Sequence, residues 1–257
     1  SGRSGALCAV RTLCGVLPAA CAEYSEVMFR EHFAFRETIT TILADSKEFI
    51  EAAKQGLLSA RAEVEAYIQT EPYFQMTYEP LSVSDDAPLT VRRMADAGFA
   101  AGVGPLAAVA ASIGWAGVGA MQDAGAEVGL IDNGGDIVLF SNRDVRVGIF
   151  AGNAPSSGKF AFVVPPQKEI LGICTSSATV GPSVSFGTAD AVVCFSRNPA
   201  RADAWATSLC NVITPENFSD VVPTESSLCG VYAVSGDWVG TYGVLPRVVP
   251  ANVDAGL

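Results

Sequence analysis

A long stretch without a single charge, AGFAAGVGPLAAVAASIGWAGVGAMQ at positions 97–122, constrains the fold of this chain more than any other segment. By length it reaches the ~20 apolar residues that a bilayer-spanning helix needs. By content it falls short: the run is mostly Ala and Gly, with one Leu, one Ile and one Phe, and so gains little free energy on leaving water. The expectation is therefore buried, closely packed helix within a globular protein and no membrane span. Gly102-Val103-Gly104 breaks the run, so one helix from about Pro88 ends at Gly102 and another begins near Pro105.

At 257 residues, the chain is long enough to bury a large core. Its net charge of −11 argues against a nucleic-acid backbone or an anionic membrane surface as partner, because both select for Lys/Arg patches. A small-molecule ligand fits better. The seven cysteines are odd in number and form no CxxC pair, which speaks against structural zinc and for a reduced, cytoplasmic compartment. The single histidine, His32, leaves no multi-His metal centre, so acid/base chemistry falls mainly to Asp, Glu, Lys or Tyr. The N-terminal ALCAVRTLCGVLPAAC has the look of a signal-peptide core, but Arg11 interrupts it and Pro18 fits a lipidated Cys21 poorly. Residues 1 to about 23 read as an extension, and 24–257 as a single domain.

From Phe29 to Ala44 polar and apolar residues alternate, as in one long strand or a hairpin. A helix follows, with a capping-box-like start at Asp45 and Glu48 and a stop at Glu71-Pro72. GLIDNGGDIVLF reads as a hairpin around Asn133-Gly134-Gly135, and DVRVGIF, GKFAFVVP, ILGICTSS and TADAVVCFS as further strands. Asn198 then caps a helix with Pro199 at its first position, running to about Asn211. Strands in runs with paired helices between them predict an α+β fold with mostly antiparallel sheets.

Four segments can carry chemistry. Gly102 and Gly104 precede a helix N-terminus, where free N–H groups favour a phosphate, although the same glycines also permit a tight helix–helix turn. Asp132, Asn133 and Asp136 surround a Gly-Gly turn and serve either a hairpin or a ligand. The hydroxyl- and glycine-rich stretch from Thr175, Ser176 and Ser177 to Gly181 and Gly187 suits a phosphate or ribose, or simply satisfies itself; Cys174, with no base beside it, reads as a structural thiol. Asp203 and Thr207 lie one helical turn apart, offering two oxygen ligands to a hard cation such as Mg2+ or forming an ordinary solvated face.

The ordered stretches GLIDNGGDI, ICTSS and ADAWATSL resemble the ApbE superfamily of flavin transferases. With AGVGPLAAVA, GICTSSATVGPSVSFGTADAVV and FREHFAFRETITTI, the chain more closely resembles an uncharacterised prokaryotic branch of it. The resemblance implies an α+β fold of the T-fold kind and an enzyme that acts with Mg2+ on FAD or another nucleotide pyrophosphate, by flavin transfer or hydrolysis. It makes Asp203 and Thr207 the metal ligands. It sets Gly134, Gly135 and Asp136 near the flavin nucleotide and gives Thr175 and Ser176 the place of a Thr-Ser-Gly loop, with Gly102 and Gly104 toward phosphate. ApbE proper also carries a Lys and an Asp in the Gly-rich motif and a His-containing loop, and this chain has neither. A non-catalytic flavin or nucleotide binder on the same scaffold therefore stands as an alternative. A structural homo-oligomer, suggested by the Ala/Gly-rich helix, is a third.

Overall fold

The computed structural model describes residues 28–36, 38–151, 154–177, 189–223 and 228–251. The expected extension at 1 to about 23 and the positions Gly181 and Gly187 lie outside the described residues. The alternating start folds as a hairpin of β1 (Phe29–Phe35) and β2 (Thr38–Ala44), paired antiparallel with Arg36 at φ 52° in the connection. Helix α1 (Lys47–Thr70) follows. Its cap is Ser46, whose hydroxyl accepts the Glu48 N–H at 3.2 Å. Asp45, expected in that role, instead accepts the Glu127 N–H at 3.1 Å and ties the helix start to the next strand.

After the short α2 (Tyr73–Met76), α3 (Leu89–Ala101) ends on Gly102, a left-handed cap at φ 70°. A 3-10 turn at Pro105–Ala108 leads into α4 (Val109–Asp123), and the two arms of the uncharged run meet at 108°. Among the described residues no single helix is long and apolar enough to cross a membrane. Glycine explains how α4 packs: a Cβ at Gly117 would come within 2.9 Å of Leu57 and 2.5 Å of Ile131, so only Gly allows α1, α4 and the sheet to meet there.

The strands follow as β3 (Val128–Asn133), β4 (Asp136–Ser141), β5 (Val145–Ile149), β6 (Phe160–Val164), β7 (Gln167–Ser176) and β8 (Ala191–Ser196). Helices α5 (Pro199–Val212) and α6 (Phe218–Val221) precede β9 (Gly230–Ser235), β10 (Trp238–Gly243) and β11 (Arg247–Pro250). An 8-stranded sheet runs β1-β2-β3-β4-β7-β8-β9-β10, and a 3-stranded sheet runs β11-β6-β5. Every pairing is antiparallel, as the run of strands predicts.

The large sheet has two covered faces. Helices α1, α4 and α5 bury Ile42, Ile131, Val138, Cys174, Val192 and Val231 on one side. The small sheet buries Leu130, Ile137, Ile173, Val193 and Phe195 on the other. This is why β3, β4 and β8 are nearly continuous apolar runs rather than alternating ones. A third cluster sits within the helical layer, around Phe74, Val91 and Met94.

Candidate functional site

The β3–β4 hairpin turns on Gly134 (φ 71°) and Gly135 (φ 109°), a two-residue loop in the left-handed region that only glycine enters cheaply. Asp132 Oδ1 accepts the Gly135 N–H at 3.0 Å and fixes the turn from inside. Asn133 Nδ2 donates to the Ala110 carbonyl at 3.3 Å, pinning the same turn to the start of α4. On the other side of the turn, Asp136 Oδ1 accepts the Thr175 N–H of β7 at 3.3 Å.

Helix α5 brings the third carboxylate. The Asn198 side chain caps it by accepting the Arg201 N–H at 3.1 Å, with Pro199 in the first turn, as the sequence predicts. Gly172 of β7 lets that turn sit directly on the sheet, since a Cβ there would stand 2.6 Å from the Pro199 Cα. So seated, Asp203 is 7% exposed, and its Oδ2 accepts the Ala111 N–H at 3.0 Å at the first turn of α4. A carboxylate thus occupies the positive end of that helix.

Burial dominates the electrostatics. The Asp136 residue retains some exposure while its carboxyl group is enclosed, and that enclosure lifts its pKa to about 7; the Asp132 charge adds to the rise, and the Thr175 N–H and Cys174 thiol oppose it. Asp203 is pushed well above the usual carboxylate range by burial and by the Asp136 charge, against the pull of the Ala111 and Ala110 N–H groups. Among the described residues, no Lys or Arg pairs with Asp136 or Asp203. Cys174, fully buried, donates to the Pro199 carbonyl at 3.8 Å, and burial and the two carboxylates raise its thiol. It is a poor nucleophile. The Thr175 hydroxyl, turned by strand alternation to the small-sheet face with Ile173 and Val193, is buried there with no hydrogen-bond partner.

Residues 22–227 match the family model described as AbpE bacteria. The chain belongs to this AbpE bacteria family. Its relatives include the UPF0280 protein of Methanocorpusculum labreanum, 68% identical over 88% of this chain and 97% of the relative. The UPF0280 protein of Methanoculleus marisnigri is 58% identical over 88% and 93%. In fold, this AbpE-family chain is similar to the flavinyl transferase ApbE of Pseudomonas stutzeri (TM-score 0.51, 10% identity, 86% of this chain and 96% of that one). It is also similar to a point mutant of the flavin transferase ApbE from Vibrio cholerae (TM-score 0.52, 14% identity, 84% and 97%). At these identities the likeness is one of fold.

In this AbpE-family fold, the sequence-predicted residues divide into two groups. Asp203, Asp136 with the Thr175 backbone N–H, and the Gly134-Gly135 turn converge on the start of α4, with Thr207, half-buried, one turn along α5 from Asp203. Ser176 follows Thr175 at the end of β7, opposite Val192. Gly102 and Gly104 sit before the 3-10 turn. Gly104 presses on the Thr77 carbonyl and the Tyr78 Cα, the close approach that the packing alternative required, whereas Gly102 faces open space. Sequence reasoning missed the Asn133 bond to α4 and the contact of Cys174 with Asp136. Only strand alternation, which turns Cys174 to the helical side, hinted at the second. A hollow of about 240 Å3 lies elsewhere, on the outer side of α3.

Asp136, Asp203 and Thr207 bring oxygen donors alone. Carboxylate and hydroxyl oxygens are the ligands a hard cation takes. Among the described residues, no three His, Cys, Asp or Glu side chains form a cage that holds a metal unaided.

Proposed function

We propose that this protein binds a flavin or other nucleotide pyrophosphate, FAD foremost, together with Mg2+, and acts on the pyrophosphate by flavin transfer or hydrolysis. One observation carries the reading: the enclosed carboxyl groups of Asp136 and Asp203, with no Lys or Arg partner among the described residues, face each other at the start of α4. Burying uncompensated acids is costly, and a divalent ion would offset the cost. Asp203 and Thr207 would hold the metal. Gly134, Gly135, Ser176 and the open side of Gly102 would contact the nucleotide, while Gly104 keeps the Gly102 turn in place. A bound magnesium ion supplies charge neutralisation to the pyrophosphate. Asp136, with its affinity for a proton near neutrality, is the residue best poised to accept one.

The solved structures named flavin transferase support the flavin part of this reading through likeness of fold alone. Binding without turnover on the same scaffold is the second reading, favoured by the absence of any lysine from GVGPLAAVA. Titration calorimetry with FAD, with and without Mg2+, on the wild type and on Asp203→Asn, tests both. Magnesium-dependent binding lost in the variant supports the site. Product formation in the same mixture then favours the enzyme, and ligand retained unchanged favours the binder. No heat in any mixture rejects the flavin reading.

A further inference from the structure

Helix α3 leaves four side chains exposed, Leu89, Arg92, Asp96 and Phe99, while the rest of the helix is buried or half-buried. Their spacing of three, four and three residues sets them in one stripe along the helix. The ends of the stripe are large and apolar: Leu89 is 51% exposed and Phe99 66%. Its middle carries one positive and one negative charge. Among the described residues, Arg92 and Asp96 have no ion-pair partner, and Arg92 Nε donates to the Ala87 carbonyl at 3.1 Å, leaving its terminal nitrogens for another acceptor. Beside Phe99 lies the hollow of about 240 Å3, walled by the apolar Leu81, Val83 and Ala95, by the polar Ser82 and Asp85, and by the two charged residues of the stripe itself.

The stripe is symmetric about Met94. If a second α3 is laid across the first in the antiparallel sense, a two-fold axis at Met94 sets Leu89 against the partner's Phe99 and Arg92 against the partner's Asp96. The same two pairs recur on the other side of the axis, as an isologous contact requires. We infer that the outer face of α3 is a self-association surface, on which two copies of this chain pair antiparallel through Leu89–Phe99 and Arg92–Asp96 contacts. Each Leu89 then covers the partner's Phe99 ring at the edge of the hollow, apolar surface that the monomer exposes. A helix about 20 Å long and its flanking hollow present less than the ~800 Å2 per partner of a standard stable interface. The dimer is accordingly a dissociating one, in the micromolar range. The inference is independent of the flavin reading, because none of these residues belongs to the carboxylate cluster.

Sedimentation velocity on the full chain, from low to high micromolar, tests it. The wild type moves from monomer toward dimer with concentration. Arg92→Asp and Asp96→Arg each set like charges opposite one another twice and raise the dissociation constant by at least about tenfold. An equimolar mixture of the two single variants associates again, because every contact between positions 92 and 96 then joins opposite charges; the double variant likewise recovers the homodimer. Both positions are exposed, and circular dichroism checks that the variants fold. Phe99→Glu, at the apolar end, gives the same loss by another route. A wild type that stays monomeric throughout, or a dimer indifferent to both reversals, overturns the inference.

Discussion

Because Asp203 Oδ2 accepts the Ala111 N–H at 3.0 Å inside the protein, this carboxylate belongs to the fold as well as to the site. Asp203→Ala leaves that N–H buried without an acceptor, a loss of about 1–3 kcal/mol readable as a lower urea midpoint in metal-free protein. Asp203→Asn keeps an acceptor and removes the charge, so it folds close to wild type and loses the magnesium response. An Ala variant as stable as wild type would mean that water replaces the bond. The neighbouring Asp136 sets a pH dependence of definite sign. Its pKa lies at about 7 when folded and near 4 when unfolded, so the native state holds the extra proton between those values. Its contribution to stability is fully present below about pH 4 and is lost as pH rises toward 7. Saturating Mg2+ should flatten this slope if the carboxylates take the ion; an unchanged slope would count against a metal here.

At the scale of elements, the site exists because close approaches at Gly117 and Gly172 hold α4 and α5 on the sheet. Gly172→Ala inserts a methyl 2.6 Å from the Pro199 Cα and must lift the first turn of α5 from β7. A stability loss of about 1–3 kcal/mol is expected, with the Asp203 titration moving toward the ordinary carboxylate range as the helix lifts its carboxyl from burial and from the Asp136 charge. A stable variant with unaltered titration would show that α5 is not seated by this contact. The elements themselves were legible in the sequence: the Asn198-Pro199 helix start, the Gly134-Gly135 hairpin and the Gly102 stop each depend on neighbours in the chain. What was not legible joins distant residues. The Thr175–Asp136 bond spans 39 positions and the Ala111–Asp203 bond 92, so neither leaves a mark on local spacing. For the same reason Asp203 and Thr207 stood out as a pair along one helix, whereas the structure gives Asp203 its nearest electrostatic neighbour, Asp136, on a different element.

Across the whole molecule, the large sheet works as a wall between two cores, with the carboxylates among the helices on one side and the small sheet on the other. Phe162 of β6 is the hub of the far side, meeting Phe195 at 5.0 Å and Tyr232 at 5.4 Å between ring centroids, both edge-to-face. Truncation to Ala removes a fully buried ring and should cost about 3–5 kcal/mol. The layered architecture then fixes where the loss is felt first. Among the described residues, strands β5, β6 and β11 have no backbone bond to the large sheet and depend on this apolar contact, so their amide exchange should accelerate before that of β7 and β8, which are paired on both edges. The contacts of Asp136 and Asp203 lie beyond the wall and should keep their protection at Thr175 and Ala111 until global unfolding. A uniform rise in exchange across all these amides would instead mean that the two sheets open as one cooperative unit, and that the site draws its rigidity from both cores.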